Sequence, residues 1–319
     1  MPHLQNILVG LDLAASKPLT VSGIGPIPRE AFLRGVEVAR FHSAHLLLFT
    51  ALNVSEKALH FVDEADRAHV VNASADAVNQ VLRQLEEEAG AKGVRATHKL
   101  ASGKGWLEII KQVLRDKHDL VVVGTHDRTG FRRVLFGDTA RKLVRRCPCP
   151  VLVNKIGTSG PSPRLLITTD LKASSQEALR LGIDLAEKWD AHVDVLHVVE
   201  YPLDRIWTSA TPDGRELGYH VKIRAEAEQL LYQQLEKTDY KALGSRLQVH
   251  LADGDGLPDI AIQRFIQDHQ IQLLVIGTTG RRGIQRIMVG STSERLLPEV
   301  HCSVLAVKPP DFVCPIKVD

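Results

Sequence analysis

The sequence predicts an α/β protein built from two tandem five-stranded parallel sheets, and three observations lead there. Short β-branched apolar runs alternate with longer stretches of helical period, the pattern of parallel strands wound by right-handed crossovers. The pattern is written twice: Ala44-His45 and Ala191-His192 each open a run of alternating apolar residues, at an offset of 147 residues. Between the copies lies Gly157 to Pro163, a Gly/Ser/Pro segment of linker composition. The expected domains are residues 1–156 and 164–319.

Each element follows from its own residues. Ile7 to Leu11 is an apolar strand ending at Asp12, and Leu165 to Thr169 is its counterpart ending at Asp170. A loop rich in proline and glycine, Lys17 to Pro28, separates the first strand from a helix-period stretch over Glu30 to Phe41. In the second copy the helix begins almost at once, through Ser174-Ser175-Gln176-Glu177. The second strands are His45 to Leu52 and His192 to Val199. Charged, alanine-rich helical stretches follow, Asp63 to Gly90 and Glu216 to Lys237. Third strands lie near Val94 to Leu100 and Leu247 to Leu251, each followed by Ala-x-Gly-x-Gly (Ala101-Gly103-Gly105 and Ala252-Gly254-Gly256). Helices are expected over Trp106 to Arg115 and Leu257 to Asp268. The fourth strands, Leu120 to Val123 and Leu273 to Ile276, run into Gly124 and Gly277. Val151 to Val153 and Val304 to Val307 close the two copies.

Composition excludes several classes. The chain has 319 residues, 44% hydrophobic and 24% charged, with net charge +2. That balance is ordinary for a globular protein and gives no case for nucleic acid or an anionic membrane as partner. No apolar run approaches the length needed to span a bilayer. Met1 to Asp12 lacks the marks of a secretory signal, so a cytoplasmic protein is expected. The four cysteines include Cys147 and Cys149 in a Cys-Pro-Cys-Pro segment. Such residues are more often small buried side chains than metal or redox ligands. There is no Walker A sequence, no His-Glu-x-x-His and no Gly-x-Ser-x-Gly elbow. The fourteen histidines, His45, His126 and His192 among them, show no ligand spacing. Short basic pairs such as Arg132-Arg133, Arg141-Lys142, Arg145-Arg146 and Arg281-Arg282 read most simply as solvated faces.

The stretch most suggestive of chemistry is Gly277 to Ser293, GTTGRRGIQRIMVGSTS. It follows a buried strand, places Gly277 and Gly280 with two residues between them, and after nine more residues reaches Gly290-Ser291-Thr292-Ser293. Glycines allow close approach of a ligand to the backbone. Ser291 with Glu294 three places on marks a helix start whose free N–H groups suit a phosphate. The plainer reading is a glycine turn and an ordinary N-cap.

These residues, position for position, resemble the nucleotide-binding members of the universal stress protein family, and the resemblance covers both halves. It implies a Rossmann-like, adenine nucleotide α-hydrolase-like sheet of strand order 3-2-1-4-5, with ligands at the reversal between strands one and four. It implies further that the second half binds ATP, with Mg2+. Asp170 would accept a hydrogen bond from the adenine or neighbouring groups, and the backbone of Val198 would meet the base. Gly277, Gly280, Gly290, Ser291, Thr292 and Ser293 would hold ribose and phosphates. Thr279 departs from the arginine or histidine of many relatives, leaving Arg281 or Arg282 as its replacement. Taken alone, Asp170 reads equally as a helix-capping acid. Relatives pair through their last strand, which implies an intramolecular pseudo-dimer of the two halves, and a homodimer is a further expectation.

The first half keeps Gly124 and Gly137 but places Asp127 at the second glycine and Asp138 at the serine. Asp138 is expected to cap its helix with a carboxylate in the anion position, opposing a phosphate about 4 Å away by roughly 1–4 kcal/mol. This half is therefore expected to have lost ATP, leaving a structural partner or a binder of an apolar or phosphate-free ligand helped by the loop Lys17 to Pro28. The whole reads as a nucleotide-sensing or regulatory module in stress responses, with slow ATP hydrolysis the most enzymatic activity implied. The rival readings are a nucleotide-free scaffold or carrier and an enzyme using ATP with a second substrate.

Overall fold

The computed structural model describes residues 4–13, 19–53, 61, 63–125, 137–158, 160, 162–205, 215–254, 257–278 and 291–318. These fall into two compact units, one formed by the first half together with the C-terminal segment 313–318, the other by residues from Thr158 to Phe312.

The first unit runs β1 (Asn6–Gly10), α1 (Pro26–His42), β2 (His45–Leu52), α2 (Glu64–Ala91), β3 (Ala96–Ser102), α3 (Gly105–Asp116), β4 (Leu120–Gly124), α4 (Asp138–Arg146) and β5 (Val151–Asn154). Its strands lie in the order β3-β2-β1-β4-β5, every pairing parallel. The second unit runs β6 (Arg164–Thr168), α5 (Gln176–Lys188), β7 (His192–Glu200), α6 (Arg215–Leu235), β8 (Leu247–Gly254), α7 (Pro258–Asp268), β9 (Leu273–Gly277), α8 (Ser291–Leu296) and β10 (Ser303–Val307). Its order is β8-β7-β6-β9-β10, again parallel throughout. In each unit the first strand sits between the second and the fourth, so the order reverses there.

The central strands read as continuous apolar runs because helices cover both faces of the sheet. Ile7, Leu8 and Val9 in β1 and Leu165, Leu166 and Ile167 in β6 are fully buried. The repeat extends to helix–strand contact. A Cβ on Gly35 of α1 would lie 2.2 Å from Val9 Cγ2, and one on Gly182 of α5 would lie 2.6 Å from Ile167 Cδ1. Glycine at the same place in both copies lets each helix settle onto its first strand.

Two expectations shift. The first helix begins at Pro26, four residues before Glu30, because a proline at the first helical position loses no hydrogen bond and arrives with helical φ. The loop before it contains a short 3-10 turn, Val21–Gly23, capped by the Thr20 hydroxyl. Strand β3 starts at Ala96, two residues later than its apolar start at Val94 suggests, after a turn at Gly93 with φ 79°.

Candidate functional site

In the second unit β6 and β9 are neighbours with β7 and β10 outside them, and their carboxyl ends meet at the strand reversal where such sheets form a ligand crevice. Beyond β6 the chain turns through Asp170 and Leu171 into the 3-10 segment Ala173–Ser175 and then α5. Asp170 is half-buried. Its carboxylate accepts from the Lys172 backbone N–H at 3.1 Å and faces the Lys172 ammonium at 3.5 Å. The carboxylate thus braces its own turn, the local bonding that short acidic side chains favour.

A buried hydrogen-bond network fixes this turn. Leu171 has φ 60°, a left-handed conformation disfavoured for a branched side chain. Its N–H donates to the Thr169 hydroxyl at 3.0 Å, and that hydroxyl donates to Gln234 Oε1 at 2.7 Å. Gln234 Nε2 donates to the Lys172 carbonyl at 2.9 Å, and Gln176 Nε2 donates to the Gln234 carbonyl at 3.1 Å. The Ser175 hydroxyl lies 2.8 Å from that of Thr169 and 2.9 Å from the Lys172 carbonyl. Gln234 belongs to α6, 65 residues from Thr169, so a helix on the face of the sheet holds the crevice rim. The sequence carried a signal for it: Gln234 is a polar residue in the buried stripe with Ala227, Leu231 and Leu235.

The next wall comes from β7 and β8. Val198 is buried and pairs with Ala252. A Cβ on Gly254 would approach Val198 Cγ1 to 2.7 Å, so the first glycine of the Ala-x-Gly-x-Gly turn is required by Val198. His197, on the other face of β7, places Nδ1 2.9 Å from the Thr169 carbonyl oxygen.

The opposite wall is the end of β9. Thr278 is fully buried and sends both its backbone N–H (3.0 Å) and its hydroxyl (3.2 Å) to the Val307 carbonyl. Helix α8 opens at Ser291, where a helix start was expected, although the Ser291 side chain lies outside what is described. Thr292 is half-buried. The Ser293 hydroxyl donates to the Gly277 carbonyl at 3.0 Å, tying α8 to the strand end. Gly280, Gly290, Thr279, Arg281 and Arg282 lie outside the described residues, as do Asp127 and His126 in the first unit.

Gly277 is half-buried, and a side-chain carbon there would meet no clash among the described residues. A Cβ there would meet only Ser174 O at 3.7 Å and Ser175 Cα at 3.9 Å, ordinary contacts, and its φ is not in the left-handed range. Among the described residues, neither packing nor backbone conformation requires glycine at this position. The space beside it, at the strand reversal, is where such sheets bind ligands.

The first unit is different at the corresponding place. A Cβ on Gly124 would lie 2.5 Å from Ile27 Cγ2 and 2.8 Å from the Ile27 carbonyl oxygen. The early start of α1 brings Ile27 onto the end of β4, and Leu13, after β1, is buried. Glycine at 124 is required for this contact with Ile27. The expectation that the Asp138 carboxylate caps its helix and fills an anion position is corrected. The N-cap is Gly137, without a side-chain cap bond, and Asp138 is the first helical residue. Its carboxylate is 59% exposed and turns along α4 to Arg141 (3.0 Å) and Lys142 (2.5 Å). Cations three and four residues on are the neighbours a helical carboxylate meets first.

Elsewhere, Cys147, Cys149 and Cys302 are buried and not in disulfides. The Cys147 and Cys149 sulfurs are 3.6 Å apart. Their mutual hydrogen bond, and then burial, push the Cys149 thiol well up. Cys314 donates to the Arg146 carbonyl at 3.3 Å, joining the C-terminal segment to α4. Among the described residues no group of three His, Cys, Asp or Glu side chains could hold a metal ion. No helix among them is long and apolar enough to cross a membrane.

A family model described as the universal stress protein family matches the chain twice, over residues 25–155 and 162–308. Universal stress protein E of Escherichia coli K12 is 27% identical over 219 residues, an alignment covering 66% of this chain and 67% of that protein. A universal stress protein of Methanocaldococcus jannaschii is 29% identical over 167 residues, half of this chain and 91% of its own length. Among solved structures, a universal stress protein of Archaeoglobus fulgidus superposes with TM-score 0.62 at 16% identity, covering 98% of this chain and 99% of that one. A Pseudomonas aeruginosa PAO1 protein of unknown function superposes with TM-score 0.68 at 19% identity, covering 98% and 95%. At these identities the structural likeness speaks for the fold.

Proposed function

This chain belongs to the universal stress protein family, twice over, and from that premise we propose that its second unit binds an adenine nucleotide, ATP with Mg2+, in the crevice between β6 and β9. The observation that carries the reading is Gly277, a glycine that nothing described in the fold requires and that leaves space at the strand reversal. In this reading Asp170 and the Val198 backbone face the base, and the segment from Gly277 through Gly280 and Gly290 to Ser291 and Thr292 wraps ribose and phosphates. Ser293 holds α8 against the strand end. In this reading the unit acts as a nucleotide sensor or regulatory module and at most as a weak ATPase; among the described residues no nucleophile is paired with a placed base. The first unit, its crevice filled by Ile27, does not take the nucleotide. Tandem halves comprising residues 1–156 and 164–319 thereby divide into one binding and one closed domain. Titration of the full chain with MgATP, beside a Gly277→Ala variant, tests this directly: saturable binding weakened by the variant supports it, and binding indifferent to the variant removes the site.

One observation favours a second reading, in which the first unit carries a ligand other than a nucleotide. A groove of about 720 Å³ lies beside Leu19, Val21, Ile24, Arg29, Gln80 and Gln84, between the loop before α1 and helix α2. Its mixed amide, hydroxyl and apolar lining suits a neutral molecule. Mass spectrometry of small molecules released from the purified chain tells the readings apart: adenine nucleotide supports the first, and a non-nucleotide compound alone supports the second.

A further inference from the structure

We infer that His197 selects the base: it offers a ring-nitrogen acceptor to the 6-amino group of adenine and so discriminates against 6-oxo purines. This rests on reading the β6/β9 crevice as an adenine nucleotide site. His197 Nδ1 lies 2.9 Å from the Thr169 carbonyl oxygen, which can only accept, so Nδ1 carries a proton. Burial drives the ring towards its neutral form. The Thr169 bond and the charges of Asp170 and Glu200 oppose this without overcoming it, and Lys172 adds to the lowering. A neutral ring with its proton on Nδ1 has a bare lone pair on Nε2.

That lone pair is placed for use. The Thr169 carbonyl whose bond holds the ring belongs to the residue before Asp170, and Thr169 is itself held by Leu171, Ser175 and Gln234. The tautomer is therefore fixed by the same network that shapes the crevice rim. Nε2 meets no hydrogen-bonding partner among the described residues and is not sealed in the core. His197 lies within electrostatic reach of Asp170, Lys172 and Glu200, and it directly precedes Val198. It is thus bonded to the strand end that leads into Asp170, and its Nε2 acceptor is unused among the described residues. Adenine presents a donor at position 6, whereas guanine and hypoxanthine present an oxygen acceptor there. Two acceptors face to face lose the bond and leave both desolvated, and sites built on a specific hydrogen bond discriminate most strongly in this way.

The test is calorimetric titration of the full chain with the Mg2+ complexes of ATP, purine riboside triphosphate (which lacks only the 6-amino group) and ITP. Wild type is expected to bind ATP about tenfold more tightly than purine riboside triphosphate, and to bind ITP no better than the latter. His197→Asn keeps a donor for Thr169 and removes the Nε2 acceptor. It should weaken ATP about tenfold, leave the other two unchanged and so erase the preference. Equal weakening of all three ligands would show a merely structural histidine and overturn the inference, as would a preference that survives the substitution; both outcomes leave the nucleotide site standing. If wild type binds none of the three, the site reading falls together with the inference. A readout independent of the variant is the 15N spectrum of the imidazole: a proton on Nδ1, with Nε2 shifting on ATP but not on purine riboside triphosphate, is expected, and a proton on Nε2 overturns the assignment.

Discussion

Alanine at Gly124 and alanine at Gly277 are the same chemical change at corresponding positions of the two units, and the structure predicts opposite consequences. At Gly124 the added methyl would sit 2.5 Å from Ile27 Cγ2, 2.8 Å from the Ile27 carbonyl oxygen and 3.3 Å from its carbon. The side-chain contact can be relieved by rotation, but the backbone contacts cannot unless the start of α1 moves. Forced overpacking of this kind costs about 1–3 kcal/mol. For a unit of this size 2 kcal/mol lowers the unfolding midpoint by about 4–8 °C. At Gly277 the methyl would meet Ser174 O at 3.7 Å and Ser175 Cα at 3.9 Å, without clash. Replacing glycine where φ permits alanine stabilises by about 0.4–1 kcal/mol through the unfolded chain, so Gly277→Ala should be neutral or slightly stabilising. The same methyl protrudes into the proposed cradle and should weaken ATP about tenfold or more. Differential scanning calorimetry gives the midpoints, and titration calorimetry gives the affinities. Equal destabilisation by the two variants would mean that Gly277 is a packing glycine and that the contrast between the units is wrong.

Three further outcomes follow from the same structure. Gln234→Ala removes one hydrogen bond each from the Thr169 hydroxyl and the Lys172 carbonyl, which keep Ser175 as a partner, and should cost about 1–3 kcal/mol in urea unfolding at about 0.5–1.5 kcal/mol per bond; a loss under about 0.5 kcal/mol would show that the network contributes nothing. Burial alone would push the Asp194 carboxyl up, but hydrogen bonds from Arg164 (2.7 Å) and His250 (2.8 Å) outweigh it and hold the group below its usual range. With the folded value depressed, the stabilisation is present above the unfolded value of about 4 and is lost as pH falls through the folded value. Asp194→Asn should therefore destabilise the second unit at pH 7 and flatten its stability-versus-pH curve below about pH 4, and an unchanged acid limb would contradict the assignment. Cys147, Cys149 and Cys302 are buried and Cys314 is half-exposed, so a thiol reagent should label Cys314 first and the others only on unfolding, as peptide mass spectrometry would show. Prompt labelling of Cys149 would contradict its burial.

The fold was legible because its signals are local and repeated. Continuous apolar runs such as Leu120 to Val123 and Leu273 to Val275 permit only buried strands, and the second writing of the pattern confirmed the first. The end of the Lys17 to Pro28 loop was misread because Pro26 and Pro28 look like breakers until the first is placed at N1, where proline starts a helix. That shift sets Ile27 in the first turn of α1, against Gly124, the contact on which the proposed closing of the first crevice rests. The sequence expectation sets two carboxylates, Asp127 and Asp138, in the first crevice; Asp127 lies outside the described residues, and the Asp138 carboxylate follows the cations of its own helix. Sequence spacing identifies which residues share a motif; it does not show which way an N1 side chain turns. Gln234, by contrast, meets Thr169 across 65 residues, and such a pairing is written in tertiary packing rather than in any motif. Asp170 and Gly277 lie far apart in sequence, and the order β7-β6-β9 brings their strand ends together at the reversal, as the resemblance implied.

The central claim is that one crevice of the two is open to nucleotide. Titration calorimetry of the full chain with MgATP, read for stoichiometry, tests it most directly. One site per chain, lost on Gly277→Asp and kept on Asp138→Ser, is the predicted result. Two sites per chain, or one site indifferent to Gly277→Asp, would contradict it.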